Sequence, residues 1–399
     1  MRKIISLLLV LMLALGLAAC GNQAEEPSEE SNAPAAESDA PSAEETPEAA
    51  DDGTIVTDDE PITLRVAMMP FGHSVPIYYA MINGMFEEAN ITVESQYFSG
   101  GAAQNEAAAA GEWDVGSNGG MPIITGSLAY GYKVIAYGND DMAPNAVYAR
   151  PDSDVVAAGQ GQIESAPEMY GDAEAWRGKT VLCNTGTSLQ YGLDACLALM
   201  GLTEADVEVV QMDAANALAA FQAGEGDLCA LWDPQRYTAE DEGYIKVASL
   251  DMTDEILPTC VTASADMIEN HPDWVLRFLK VYLEAQEILS NDLDLYAETF
   301  DAWEDECGTP IDEDDAYESC AMRVHPNNAD NLAYFEGEDG STYMDEILMG
   351  VAEFLFDTGR VEQADLDYIA ENPIVDSSFI KQAYAELHPE GGVKKLRPV

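Results

Sequence analysis

From residue 62 onward the chain alternates short apolar runs with stretches of amphipathic helical pattern, and no other feature restricts the fold as much. Such alternation is buried most simply as strands of a mostly parallel sheet covered by helices, an α/β architecture. "ITLRVAMM" reads as a strand, "VPIYYAMINGMFEEA" as a helix, "ITVESQYF" as a strand and "AAQNEAAAAGEW" as a helix. "DVGSNGG" then forms a short strand running into a loop, "MPIITGSLAYG" a helix and "KVIAYG" a strand. Proline, glycine and acidic residues interrupt the rhythm over 147–178, and a second series begins at "KTVLCNTG" and runs through "YIKVASL". The "LPTCVTAS" run leads on to the periodic helix "HPDWVLRFLKVYLEAQEILS", with Pro272 suited to its first turn. Residues 291–399 read as mostly helical with long acidic loops.

What precedes residue 61 is not part of this pattern. Met1-Arg2-Lys3, an apolar run and small residues before Cys20 make an export signal. "LAAC" at 17–20 resembles a bacterial lipoprotein signal, which implies a signal peptide over 1–19, lipidation of Cys20 and a lipid anchor outside the cytoplasm. Residues 21–60 carry 14 acidic residues and no Lys or Arg, so 20–60 is expected to be a disordered, self-repelling tether. The remainder still holds 60 acidic against 15 basic residues, within a formal charge of −57 for the whole chain. Nucleic acid is therefore excluded as a partner, because a polyanion is bound through basic patches that release its counterions. Six cysteines follow Cys20; Cys307 and Cys320 flank an acidic loop and are the expected disulfide pair, if any forms. Neither the Cys nor the His spacing suggests a metal site, and no cofactor is expected.

Enzyme motifs fail on spacing. Gly178-Lys179-Thr180 would need a glycine at Ala173 and precedes a strand instead of following one, so it is no phosphate loop. Gly186-Thr187-Ser188-Leu189-Gln190 ends in Gln190 and is no nucleophile elbow. Four small polar residues within 184–188, at a strand-to-helix junction, are more than the single residue an N-cap requires. Free N–H groups at such a helix start, together with hydroxyls, suit a polar or anionic ligand. "YFSGG" and "GSNGGMP" repeat the arrangement, placing polar loops at strand carboxyl ends, where open α/β sheets bind ligands.

The run "AWRGKTVLCNTGTSLQYGLDACLALMGLTEADVEVVQMDAANALAAFQAGEGDLCALWDPQ" (175–235) resembles the second lobe of substrate-binding proteins of the aliphatic-sulfonate, taurine and nitrate ABC importers, a group that also includes binders of thiamine-pyrimidine precursors. "AMINGMFEEANITVE", "SGGAAQNEAAAAGEWDVGSNGGMP" and "GYKVIAYG" are similar to its first lobe. The resemblance implies a bilobal, type II periplasmic-binding-protein-like fold with two crossover strands and a cleft between the lobes. It divides the chain into lobe 1 (61–149), lobe 2 (150–260) and a return to lobe 1 with a C-terminal helical region (261–399), with hinges near "AVYARPD" and "PTCVTAS". It implies a monomer that delivers a small solute to an ABC permease and its ATPase. The contacts carried over are Phe71, Gly72 and His73; Ser99, Gly100 and Gly101; Ser117, Asn118 and Gly119; Thr185, Gly186, Thr187 and Ser188; and Trp232 and Asp233. Trp232 suits a core position as well as a ligand wall, and His73 a solvated loop as well as a cleft. These loops hold no Lys or Arg, with Arg150 and Arg236 nearby in sequence, so a zwitterion or a pyrimidine-like heterocycle fits as well as a simple anion. A pyrimidine-synthesising enzyme of this fold, using His73, and a ligand-sensing surface lipoprotein are the alternatives.

Overall fold

The structure, a computed structural model, describes residues 54–337 and 340–389. The signal segment, Cys20 and the tether as far as residue 53 lie outside the described residues. Ten strands follow in chain order: β1 (Ile62–Met68), β2 (Ile91–Tyr97), β3 (Val115–Gly119), β4 (Lys133–Asp140), β5 (Ala146–Ala149), β6 (Thr180–Cys183), β7 (Glu208–Gln211), β8 (Leu228–Leu231), β9 (Ile245–Ser249) and β10 (Pro258–Ala263).

They form two five-stranded sheets of matching plan. The first has the order β2-β1-β3-β10-β4, with β1 parallel to β2 and β3, and β10 antiparallel to β3 and β4. The second has the order β7-β6-β8-β5-β9, with β6 parallel to β7 and β8, and β5 antiparallel to β8 and β9. In each sheet the one antiparallel strand is the strand that has just arrived from the other lobe. This is the bilobal α/β arrangement, and its inner parallel strands β6 and β8 read as apolar runs because both of their faces are buried.

Two details differ from the expected division. β5 lies in the second sheet and β10 in the first, so the lobe limits fall before 146 and before 258, not at 150 and 260. "AVYA" and "PTCVTA" are therefore strands within sheets, and the crossings themselves are residues 141–145 and 253–257. The expected Cys307–Cys320 disulfide is absent: both are free thiols, as are the other four described cysteines. Cys307 ends the helix Leu293–Cys307 and Cys320 lies on the helix Glu313–Ala321, where it is buried in the lobe 1 core among apolar neighbours. Packing, not cross-linking, explains it.

Each lobe has its own core. One cluster includes Val66, Val134, Val261, Phe278 and the C-terminal helices; the other includes Val181, Leu193, Phe221 and Ala230. β3 is the least strand-like sequence of all, Val-Gly-Ser-Asn-Gly, yet it is wholly buried. Gly116 allows this, because a Cβ there would stand 2.6 Å from the Ala67 carbonyl oxygen of β1. Close approach of β1 to β3 is what delivers Ser117 and Asn118 to the carboxyl end of the sheet. Among the described residues, no helix is long and apolar enough to cross a membrane.

Candidate functional site

A cavity of about 20 Å³ lies at the junction of the lobes. Its walls come from the turn after β1 (Met69, Phe71, His73), from Gly101, Asn118, Gly119 and Pro122 of lobe 1, and from Thr187, Ser188, Trp232 and Asp233 of lobe 2. Asp141, in the first crossing, and Arg323, beyond the helix Glu313–Ala321, complete it. This volume is about that of one water, so the lobes are closed upon each other. A second, larger groove of about 570 Å³ runs along the helix Tyr343–Asp357 and shares no residue with the cleft.

Glycines set how near the lobes come. A Cβ on Gly119 would stand 2.5 Å from Ser188 Oγ across the junction. Gly100 faces Asn184, Trp232 and Thr187, with 3.6–3.8 Å from the same construction. Helices start on both sides: Gly101–Ala109 and Gly120–Tyr130 from lobe 1, Ser188–Leu199 from lobe 2. The two lobe 1 helices have glycine N-caps and no side chain capping them, so their first N–H groups keep the capacity to bind an acceptor. The lobe 2 helix is capped by Thr187, which accepts from Leu189 N at 3.3 Å and donates to the Asn184 carbonyl at 2.6 Å.

The individual side chains divide clearly. His73 is buried and its Nδ1 meets Ser117 Oγ at 2.8 Å. Burial, reinforced by Arg323, lowers its pKa to about 3, so the imidazole is neutral at physiological pH. Phe71 packs edge-on against Trp232 with ring centroids 4.9 Å apart, giving the cleft one aromatic wall built from both lobes. Trp232 belongs at once to the lobe 2 core and to the cavity lining. Asn118 turns its Oδ1 to Gly119 N at 2.9 Å. Ser99 is exposed, and Thr185 bonds Gln211 through both its N–H and its hydroxyl; neither lines the cavity. Gly72, Gly100, Ser117 and Gly186 are not among the lining residues, and Gly186 donates to Gln190 Oε1 at 2.6 Å with φ of +74°.

Asp233 is the most constrained group. It is 1% exposed and accepts from Arg236 Nε, from Arg323 Nη2 at 2.7 Å and from Ser319 Oγ at 2.6 Å. Burial works to raise its pKa, but Arg323 and Arg236 outweigh it and hold the carboxyl below its ordinary value. Asp141 lacks that support: burial pushes it to about 7, with Arg323 Nη2 4.0 Å away. The loops expected to form the cleft hold no cation, but the cavity wall has one in Arg323, while Arg236 serves Asp233. Arg150 faces elsewhere, lying over the Phe221 ring and donating to the carbonyls of Phe221, Glu225 and Gly226. A signal for Arg323 existed, since it is the only Lys or Arg between Lys280 and Arg360.

Two α/β lobes joined by two crossings and closed on a small cavity with one aromatic wall have the architecture of the bilobal binding proteins. The chain belongs to the NMT1-like family, whose model matches residues 57–300. A Brachyspira hyodysenteriae protein named "Putative ABC transporter periplasmic binding protein" is 32% identical over 242 residues, 60% of this chain and 69% of its own. A Bacillus subtilis protein named "Putative aliphatic sulfonates-binding protein" is 26% identical over 79% of this chain and 87% of its own. Among solved structures, the alkanesulfonate-binding protein SsuA of Xanthomonas axonopodis bound to MOPS is similar with a TM-score of 0.62 and 18% identity, covering 80% of this chain and all of that one. The periplasmic nitrate-binding protein NrtA of Synechocystis has a TM-score of 0.63 at 12% identity, covering 85% of this chain and 92% of its own. At these identities the two structures show the fold alone. With its family, the chain is a solute-binding protein of the ABC-importer class, and the relatives are binding proteins and not enzymes.

Proposed function

We propose that this protein is a lipid-anchored receptor, held at the outer face of the membrane through Cys20, that captures a small solute bearing an acid group and delivers it to an ABC permease. The observation that carries this reading is Arg323: a guanidinium on the cavity wall, beside two helix starts without side-chain caps. Cations and helix N-termini both favour an anionic group. The Phe71–Trp232 wall offers apolar contact to the rest of a small organic acid, and the carboxyl of Asp141 can take a cationic group of a zwitterion. Relatives named for sulfonates and taurine are consistent with that chemistry. The closed cavity is smaller than any such solute, so entry requires a hinge motion at 141–145 and 253–257.

Thermal melting in the presence of taurine, ethanesulfonate, nitrate and a hydroxymethylpyrimidine tests the reading. Binding to the folded state raises the melting temperature by ligand linkage. A rise with at least one of the acids is expected; a rise only with the neutral pyrimidine would overturn the acid assignment. A Cys20→Ala chain should lose membrane association while keeping the melting shift.

A further inference from the structure

The helical segment Leu293–Tyr334 belongs to neither sheet, yet it reaches the centre of the cleft. It is rooted in lobe 1, where Phe300, Trp303, Ala316 and Cys320 enter the core. Trp303 Nε1 donates to the Met69 carbonyl at 2.8 Å, immediately before the cleft turn. From that root, Ser319 Oγ and Arg323 Nη2 both bond Asp233 of lobe 2. Arg236, also of lobe 2, lies 3.5 Å from Met322 Sδ and 3.6 Å from a Glu318 oxygen. The contacts to Asp233 and Arg236 join the lobe 1 root to lobe 2.

We propose that Arg323 is a clasp: in the closed form its ion pair with Asp233 ties the lobes together, and the acid group of a solute takes the place of Asp233 as the partner of Arg323. The solute half of this proposal rests on the reading above, whereas the clasp half stands without it.

The exchange leaves nothing unpaired. When Arg323 Nη2 turns to a solute, Asp233 keeps Arg236 Nε and Ser319 Oγ. Arg323 meanwhile keeps the Ser319 carbonyl on Nη1 at 2.6 Å. A buried ion pair that loses one partner without replacement is strongly disfavoured, so the clasp opens easily only to a group that supplies the missing charge. Selectivity for acids then follows from the closure contact itself. A neutral solute of equal size would have to break the pair and offer nothing in exchange. Arg323 is thus a specificity-determining residue contributed by a helical segment of lobe 1 that lies outside both sheets.

Hydrogen exchange of the full chain, with and without taurine or ethanesulfonate, tests both halves. Without solute, Arg323→Gln should raise exchange at least tenfold in the junction loops 99–102, 117–121 and 185–189, while β1 and β6 stay protected. Arg323→Lys, which keeps the charge but loses the forked geometry, should give an intermediate rise. Unchanged junction protection in Arg323→Gln would overturn the clasp. With solute, Arg323→Gln should lose at least tenfold in affinity for the acid that protects the wild type, and equal affinity would overturn the exchange. If neither acid protected the wild type, the acid reading would fail and with it the exchange, while the solute-free comparison would still decide the clasp. Loss of β1 and β6 protection in Arg323→Gln would mark unfolding, and Arg323→Lys then decides alone.

Discussion

Asp233 and Glu304 show how differently two buried carboxyls are kept. Asp233 is paired with two guanidiniums and a hydroxyl, and removing it would leave Arg236 and Arg323 buried without their shared partner. Asp233→Ala is expected to cost about 3–5 kcal/mol, read as a lowered midpoint in urea unfolding. Glu304 has only the Thr309 hydroxyl on Oε2 at 2.6 Å, and its Oε1 has no partner. Burial raises it to about 8 from an ordinary 4.5. Between those values the folded chain retains a proton that the unfolded chain has lost. This group's contribution to stability therefore declines as pH rises through the window and levels off above about 8. Glu304→Gln should melt above the wild type at pH 9 and close to it at pH 4, and equal melting at pH 9 would show the carboxyl to be better solvated than its burial implies. Two hydroxyls carried over together by resemblance also separate at this scale. Thr187→Ala should weaken solute binding, whereas Thr185→Ala, whose side chain serves Gln211, should leave it unchanged in the same titration.

At the scale of elements, the sequence announced most of the strands and helices, because apolar period and turn chemistry are local properties. β3 is the exception worth testing, since Gly-Ser-Asn-Gly has low strand propensity and is held by its neighbours. Gly116→Ala should destabilise lobe 1 by about 1–3 kcal/mol through overpacking on β1, measured by denaturant unfolding followed through lobe 1 amides. The polar loops at the helix starts were legible for the same local reason, and all three supply residues to the cavity wall directly, at Gly101, Gly119 and Ser188. What escaped was non-local. Arg323 is 90 positions from Asp233 in sequence, within an acidic helical stretch whose own pattern says nothing about which lobe it will touch. The lobe limits slipped for a related reason: β5 and β10 are each paired on both sides by strands of the lobe just entered, which only the sheet reveals. The supposed disulfide failed because loop-flanking positions in sequence became helix positions in space.

For the whole molecule, the matching plan of the two sheets, each with one antiparallel strand received from the other lobe, places the carboxyl ends of both parallel sets at one junction. Closure there brings together an aromatic wall, uncapped helix starts and one guanidinium, none of which forms a site within a single lobe. The central claim is that a solute bearing an acid group binds between the lobes. Isothermal titration of taurine and ethanesulfonate into the full chain, beside a Thr187→Ala/Trp232→Ala double variant, tests it most directly. The account predicts one-to-one binding of at least one acid by the wild type and at least a tenfold loss in the double variant. Binding of neither acid, or equal affinity in the two proteins, would contradict it.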